Sequence, residues 1–166
     1  MDALINVNGE NFQTLQILLL TTLITLLPSI VVMMTSFTRY IISLSFLRSA
    51  IGLQQNPPNT VLVGMALFLT LFTMSPVISD IQTNAYEPYI AERITQEEFY
   101  EKAKVPLKEF MLDQTEDSSL ELFCELAGAD MPATRAQAEG LPLRIIVPSF
   151  MTSELKHAFL IGFYLY

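Results

Sequence analysis

Charged residues are missing from residues 11–38, and from Ile17 to Met34 nearly every position is apolar or threonine. Such a run exceeds the roughly 20 residues a helix needs to cross a bilayer core. A helix on a soluble core would turn a polar face outward every turn, and this run offers none. Thr21, Thr22 and Thr25 can return their hydroxyls to the carbonyl four residues back, so they do not forbid the membrane. Pro28 predicts a kink that neighbouring helices can repair. The pattern predicts a membrane-spanning helix that reaches Thr38 and continues past it.

A second uncharged run covers residues 60–79, with residues 61–74 as a membrane helix and Pro76 marking its end. Gly64, Ala66 and Thr70 are small enough to let another helix approach closely. Between the two runs, Gly52-Leu53-Gln54-Gln55-Asn56-Pro57-Pro58-Asn59 reads as a turn, because two consecutive prolines cannot continue a helix. The expected unit is a helical hairpin over residues 11–79, preceded by a polar leader at residues 1–10. Arg39 and Arg48 fall on the Pro-Pro side of it. Nine residues turn an α-helix by about 180°, so the two arginines should project from opposite sides. They read as snorkelling to one membrane surface or pairing with neighbouring subunits; a role in ion conduction is the sharper alternative. By the positive-inside rule their side is cytoplasmic, which puts the following segment outside.

That segment, residues 80–140, changes character. Residues 80–139 hold 14 acidic and 5 basic side chains, a balance of −9 against −8 for all 166 residues. Thr95-Gln96-Glu97-Glu98 is a capping box opening a helix through about Lys104. Pro106 suits the first turn of another, with Leu107, Phe110 and Met111 on one face. Ser118-Ser119-Leu120-Glu121 repeats the box and leads to a stop at Gly128. Residues 130–140, with Pro132 and no periodicity, read as a loop. The surplus carboxylates read as a solvated face rather than a metal or acid/base constellation.

From Leu141 the chain is apolar again. Thr152 or Ser153 can cap a helix with Glu154 in its first turn. Residues 158–166 read as the first turns of a third membrane segment (residues 141–166) that is cut short. No positively charged leader or clear cleavage site accompanies the first apolar run, so that helix is expected to be retained.

Composition narrows the function classes. Charged residues make up 16 % of the chain and mean hydropathy is +0.41, against about 25 % charge in typical soluble domains. No basic patch exists to neutralise phosphates, which argues against nucleic acid. The single Cys124 precludes an intramolecular disulfide and a cysteine-rich metal site, and reads as a small buried hydrophobe. Glu154 and His157, three apart on a helix, can touch and make a possible acid/base unit, but no nucleophile accompanies them. There is no Gly-rich phosphate loop, HExxH or CxxC. No catalytic, cofactor-binding or metal-binding residue is assigned. The physical reading is an all-α integral membrane protein with an acidic helical extracytoplasmic segment and no visible enzyme.

Ordered motifs sharpen this. Met33-Met34-Thr35-Ser36-Phe37-Thr38-Arg39, Ser45-Phe46-Leu47-Arg48, Pro57-Pro58-Asn59 and Gly64-Met65-Ala66-Leu67-Phe68-Leu69-Thr70 come first. Ser75-Pro76-Val77, Ala85-Tyr86-Glu87-Pro88-Tyr89, Pro106-Leu107-Lys108-Glu109-Phe110-Met111-Leu112 and Gln114-Thr115 follow. Leu141-Pro142-Leu143-Arg144, Thr152-Ser153-Glu154-Leu155-Lys156 and Ile161-Gly162-Phe163 complete the series. From about Leu18 onward the chain resembles the FliP family of the flagellar type III export gate.

The resemblance implies a pore-forming subunit in the bacterial cell membrane, at the flagellar basal body, passing unfolded flagellar subunits during assembly. It implies several copies joined with FliQ and FliR into a helical pore complex, working beside FlhA and FlhB. The driving energy would come from the proton gradient and a separate ATPase, so the chain would be no enzyme. Met33, Met34, Phe37, Arg39, Arg48, Pro57, Pro58, Asn59, Glu154 and Lys156 are the motif positions expected to serve assembly. The family continues past Tyr166 with more membrane sequence and a methionine-rich loop that narrows the pore. The virulence type III paralogue is an alternative, although Met-Thr-Ser-Phe-Thr-Arg is the flagellar form. From a different class, a small ion or proton channel would place conductance under Arg39, Arg48 or Glu154, and an intramembrane hydrolase would use Glu154 and His157.

Overall fold

The computed structural model describes residues 10–53 and 56–166. The expected leader lies, up to Gly9, outside the described residues, as do Gln54 and Gln55 of the turn. The chain divides into two units, residues 1–32 and 33–166.

Helix α1 (Glu10–Met34), all but its last two residues in the first unit, carries Pro28 internally. Its window Ile17–Met34 has a mean hydropathy of 2.4 and no buried residue. Thr21, Thr22 and Thr25 donate to the carbonyls of Ile17, Leu18 and Thr21 at 2.9, 2.7 and 2.8 Å. Each hydroxyl is thereby satisfied within the helix, which suits a segment surrounded by hydrocarbon.

Among the described residues of the second unit every regular element is helical. The helix expected to run unbroken through Thr38 is interrupted at Thr35-Ser36, and α2 (Phe37–Ala50) starts afresh. Hydropathy could not show this, because Thr and Ser are compatible with a span; at the break Thr35 Oγ1 accepts from Phe37 N at 3.4 Å, a local bond that competes with the continuous helix. Helix α3 (Asn59–Ile81) runs back beside α2. Tyr40 Oη and Thr73 Oγ1 lie 2.6 Å apart toward the end of this pair away from the turn. Arg48 Nη1 donates to Pro57 O at 3.1 Å and to Asn59 Oδ1 at 2.7 Å at the turn. Leu62, Ala66, Thr70 and Met74 repeat every four residues as the buried stripe of α3, while Phe68 and Phe72 on other faces are exposed. Of the three small residues, Ala66 and Thr70 are buried, whereas a Cβ on Gly64 would meet nothing.

Pro76 does not end this helix but lies inside it. The helical path continues through a π-helical turn, Gln82–Tyr86, into α4 (Glu87–Ile90). The π turn precedes Pro88, whose ring nitrogen has no proton for the carbonyl four residues back. Asn59–Ile90 is, with Ile17–Met34, one of the two described segments long and apolar enough to cross a membrane.

The Thr95 box forms as expected: Thr95 N donates to Glu98 Oε2 at 2.7 Å and Glu98 N to Thr95 Oγ1 at 3.3 Å. The helix it opens, α5 (Gln96–Asp113), is continuous through Pro106 rather than two helices. Losing one backbone bond is offset by burying Pro106 and the Met111-Leu112 face. Helix α6 (Asp117–Ala127) starts a residue before the expected Ser118 box, with Glu116 at its N-cap, and Ser118 caps nothing. Gly128, at φ +65°, ends it: Ala129 N reaches Cys124 O and Gly128 N reaches Glu125 O, a Schellman pattern. The expected loop holds a short helix, α7 (Arg135–Glu139), capped by Thr134.

Helix α8 (Leu143–Leu165) likewise begins earlier than expected, after Pro142, so Thr152 and Ser153 lie in its interior and cap nothing. Pro148 sits in its second turn. Met111, Leu112, Leu120, Cys124, Ala138, Ile145, Ile146 and Phe150 form the core where α5, α6 and α7 close on the first half of α8. Phe110 meets Phe150 edge-on at 5.8 Å. Burial holds the Cys124 thiol above its usual range, so it acts as packing. Lys108 Nζ donates to Glu139 O and Leu141 O at 3.0 and 2.8 Å, tying α5 to the segment entering α8.

Candidate functional site

Helices α2 and α8 pack along one another in parallel. Arg39 lies opposite Glu154, and one turn pair further on Phe46 meets Phe159 edge-on at 5.7 Å and abuts Gly162. At the Arg39 end the close of α5 and the start of α6 join them. A polar cluster forms where these four helices meet.

Arg39 is its centre. A single nitrogen, Nη2, donates to Gln114 Oε1 at 2.9 Å, bonds Glu154 Oε1, and lies 3.3 Å from His157 Nδ1. Glu154 is fully buried. A buried carboxylate is tolerable only when paired. Arg39 Nε and Glu154 Oε2 have no hydrogen-bond partner among the described residues. Beside this pair, Glu116 N donates to Ser153 Oγ at 2.9 Å, which fixes the N-cap of α6 against α8. The Glu116 carboxylate takes a bond from Lys156 Nζ and lies 3.4 Å from His157 Nε2. The Lys156 bond holds the Glu116 carboxyl below its ordinary range.

Arg39 therefore does not rely on a surface or a neighbouring subunit for its charge partner: the acid lies 115 residues on. Nor does it share the Pro-Pro side with Arg48, because it stands at the start of α2 against Gln114 while Arg48 in the last turn holds Pro57 and Asn59. The suggested Glu154–His157 pair is not what forms. Glu154 turns to Arg39, and His157 lies between Arg39 and Glu116. Arg48 serves the Pro57-Pro58-Asn59 turn, holding Asn59 at the start of α3. Met34 packs against the core cluster, Met33 is exposed, and Phe37 N contacts Thr35 Oγ1 at 3.4 Å. Gln114, Glu116 and Ser153 were not among the expected site residues. Of these, Gln114 and Ser153 stood in recognisable motifs; Glu116 becomes legible only once α6 and α8 meet.

No group of His, Cys, Asp or Glu among the described residues is arranged to hold a metal ion. The arrangement is electrostatic: it fixes four helices by buried and half-buried charge. An open apolar groove of about 710 Å³ adjoins it, lined by Phe46, Phe159, Leu160, Gly162, Phe163 and Tyr166, with Lys156 at its edge.

The model of the FliP family matches residues 19–166. The chain belongs to the FliP family. Flagellar biosynthetic protein FliP of Aquifex aeolicus (strain VF5) is 44 % identical over 158 residues, covering 95 % of this chain and 66 % of the relative. The protein of the same name from Pectobacterium carotovorum subsp. carotovorum is 48 % identical, covering 94 % of this chain and 60 % of its own length. That of Bacillus subtilis (strain 168) is 44 % identical over 153 residues, covering 92 % and 68 %. The chain thus spans only part of the FliP relatives it matches: 66 %, 60 % and 68 % of these three, and as little as 38 % of others. These relatives are named for flagellar biosynthesis, and two described segments of this chain are long and apolar enough to cross a membrane.

Proposed function

We propose that this FliP-family chain is a pore-forming subunit of the flagellar protein export gate, through which unfolded flagellar subunits cross the cell membrane. The observation that carries the reading is the family match over residues 19–166. The two apolar helical segments support a membrane location. In this reading the Arg48 turn faces the cytoplasm and residues 80–140 lie outside.

The chain acts by assembly rather than catalysis. Copies of it join FliQ and FliR into a helical pore and work beside FlhA and FlhB. Exposed apolar residues on α3, such as Phe68, Leu71 and Phe72, supply surface for lipid or for these partners. Arg39, Arg48, the Pro57-Pro58-Asn59 turn, Glu154 and Lys156 hold the subunit in its assembling shape, with Met33, Met34 and Phe37 on the segment that leads into it. Deleting the gene for this protein should abolish external filaments while filament protein accumulates inside the cell. Cells that still secrete filament protein normally would contradict the reading.

A further inference from the structure

The chain has one histidine, and its two ring nitrogens face groups of opposite kind. Nδ1 is 3.3 Å from Arg39 Nη2, and Nε2 is 3.4 Å from Glu116 Oε1. A guanidinium has only donors, so Nδ1 meets it as an acceptor and carries no proton. The proton of the neutral ring then sits on Nε2, toward the carboxylate. A second proton has one place to go, Nδ1, where it opposes the guanidinium N–H.

The other groups around the ring are few. Arg39 comes from α2, uncharged Gln114 from the end of α5, and Glu116 from the N-cap of α6. Glu154 and Lys156 come from α8 itself, with Lys156 engaged by Glu116. Arg39 uses Nη2 alone for Gln114, Glu154 and His157, while its Nε and Glu154 Oε2 have no partner among the described residues. A side-by-side fork of Nε and Nη2 on the two carboxylate oxygens would satisfy both orphan atoms. Gln114 Oε1 and His157 Nδ1 compete with the carboxylate for that same Nη2.

We propose that His157 is a proton-operated selector of the Arg39 geometry: the neutral ring holds the guanidinium in its three-way contact, and protonation drives it into a fork on Glu154. The contact to Gln114 is given up in the second state, which uncouples α2 from the α5–α6 corner. The pair between His157 and Glu116 tightens at the same time, because a cation then faces the carboxylate. Acidification thus loosens one side of the junction and strengthens the other. The proton is taken from solvent at Nδ1 and returned there, with no other bond made or broken.

One histidine makes the test clean. Imidazole and guanidinium nitrogens of the ¹⁵N-labelled full chain in detergent micelles are followed by NMR from alkaline to acid pH. The expected neutral form is the Nε2–H tautomer. Across the His157 titration the Arg39 Nε–H should exchange about tenfold more slowly, the size of one gained hydrogen bond to a charged group. In His157→Gln the amide oxygen can accept from Arg39 and the amide N–H can face Glu116, so the fold is retained and the pH response disappears. His157→Lys should show the slowed Arg39 Nε–H at every pH. A neutral Nδ1–H tautomer, an Arg39 Nε–H indifferent to pH, or an unchanged pH response in His157→Gln would each overturn the proposal.

Discussion

Gly162 of α8 lies so close to Phe46 of α2 that a Cβ on the glycine would fall 2.4 Å from Phe46 Cδ2 and 2.6 Å from Cγ. Contact with Cγ, near the root of the side chain, cannot be relieved by a small ring swing. Gly162→Ala should therefore lower stability by about 1–3 kcal/mol, the usual cost of overpacking. Phe46→Leu in the same chain should recover part of the loss. Thermal unfolding of the purified variants checks both.

The Arg39–Glu154 pair carries the larger penalty for being halved. Arg39→Met leaves a fully buried carboxylate without its cation and should cost about 3 kcal/mol. Glu154→Met in addition should recover most of that, because replacing both partners by apolar groups removes the desolvation penalty with the pair. The double-mutant cycle in detergent-purified chain reads this coupling directly.

Glu116 gives the junction a defined acid limit. Its carboxyl is held below the ordinary range, chiefly by the Lys156 bond. Its contribution is therefore fully present above the ordinary carboxylate pKa and is lost as the pH falls through the lowered value. The stability difference between the protein and its Glu116→Gln variant should be largest near neutrality and vanish in acid. A difference that grew on acidification would reverse the sign of the account.

Phe150 is the largest fully buried side chain in the core and meets Phe110 edge-on. Phe150→Ala should cost about 3–5 kcal/mol. Phe72→Ala, on an exposed face of α3, should leave the unfolding midpoint of the isolated chain almost unchanged.

The sequence pattern made some of these elements legible and hid others, for physical reasons. Charge-free runs located α1 and α3, and the Thr95 box and Gly128 fixed helix ends, because each acts through neighbouring residues. Prolines 76 and 106 misled in a common way. A proline removes one backbone bond, and packing against other helices offsets that loss. The Ser118 box gave way because Glu116 N found Ser153 Oγ on α8. Arg39 was visible as an odd charge after an apolar run, yet nothing local pointed to Glu154. The cluster depends on bringing α2, α6 and α8 together, and that is a tertiary fact.

The most direct test of the export-gate reading is the mass of the complex recovered when this protein is co-expressed with FliQ and FliR and purified in mild detergent. The reading predicts a stable assembly containing several copies of this chain together with both partners. Recovery of a lone chain, with FliQ and FliR purifying apart from it, would contradict it.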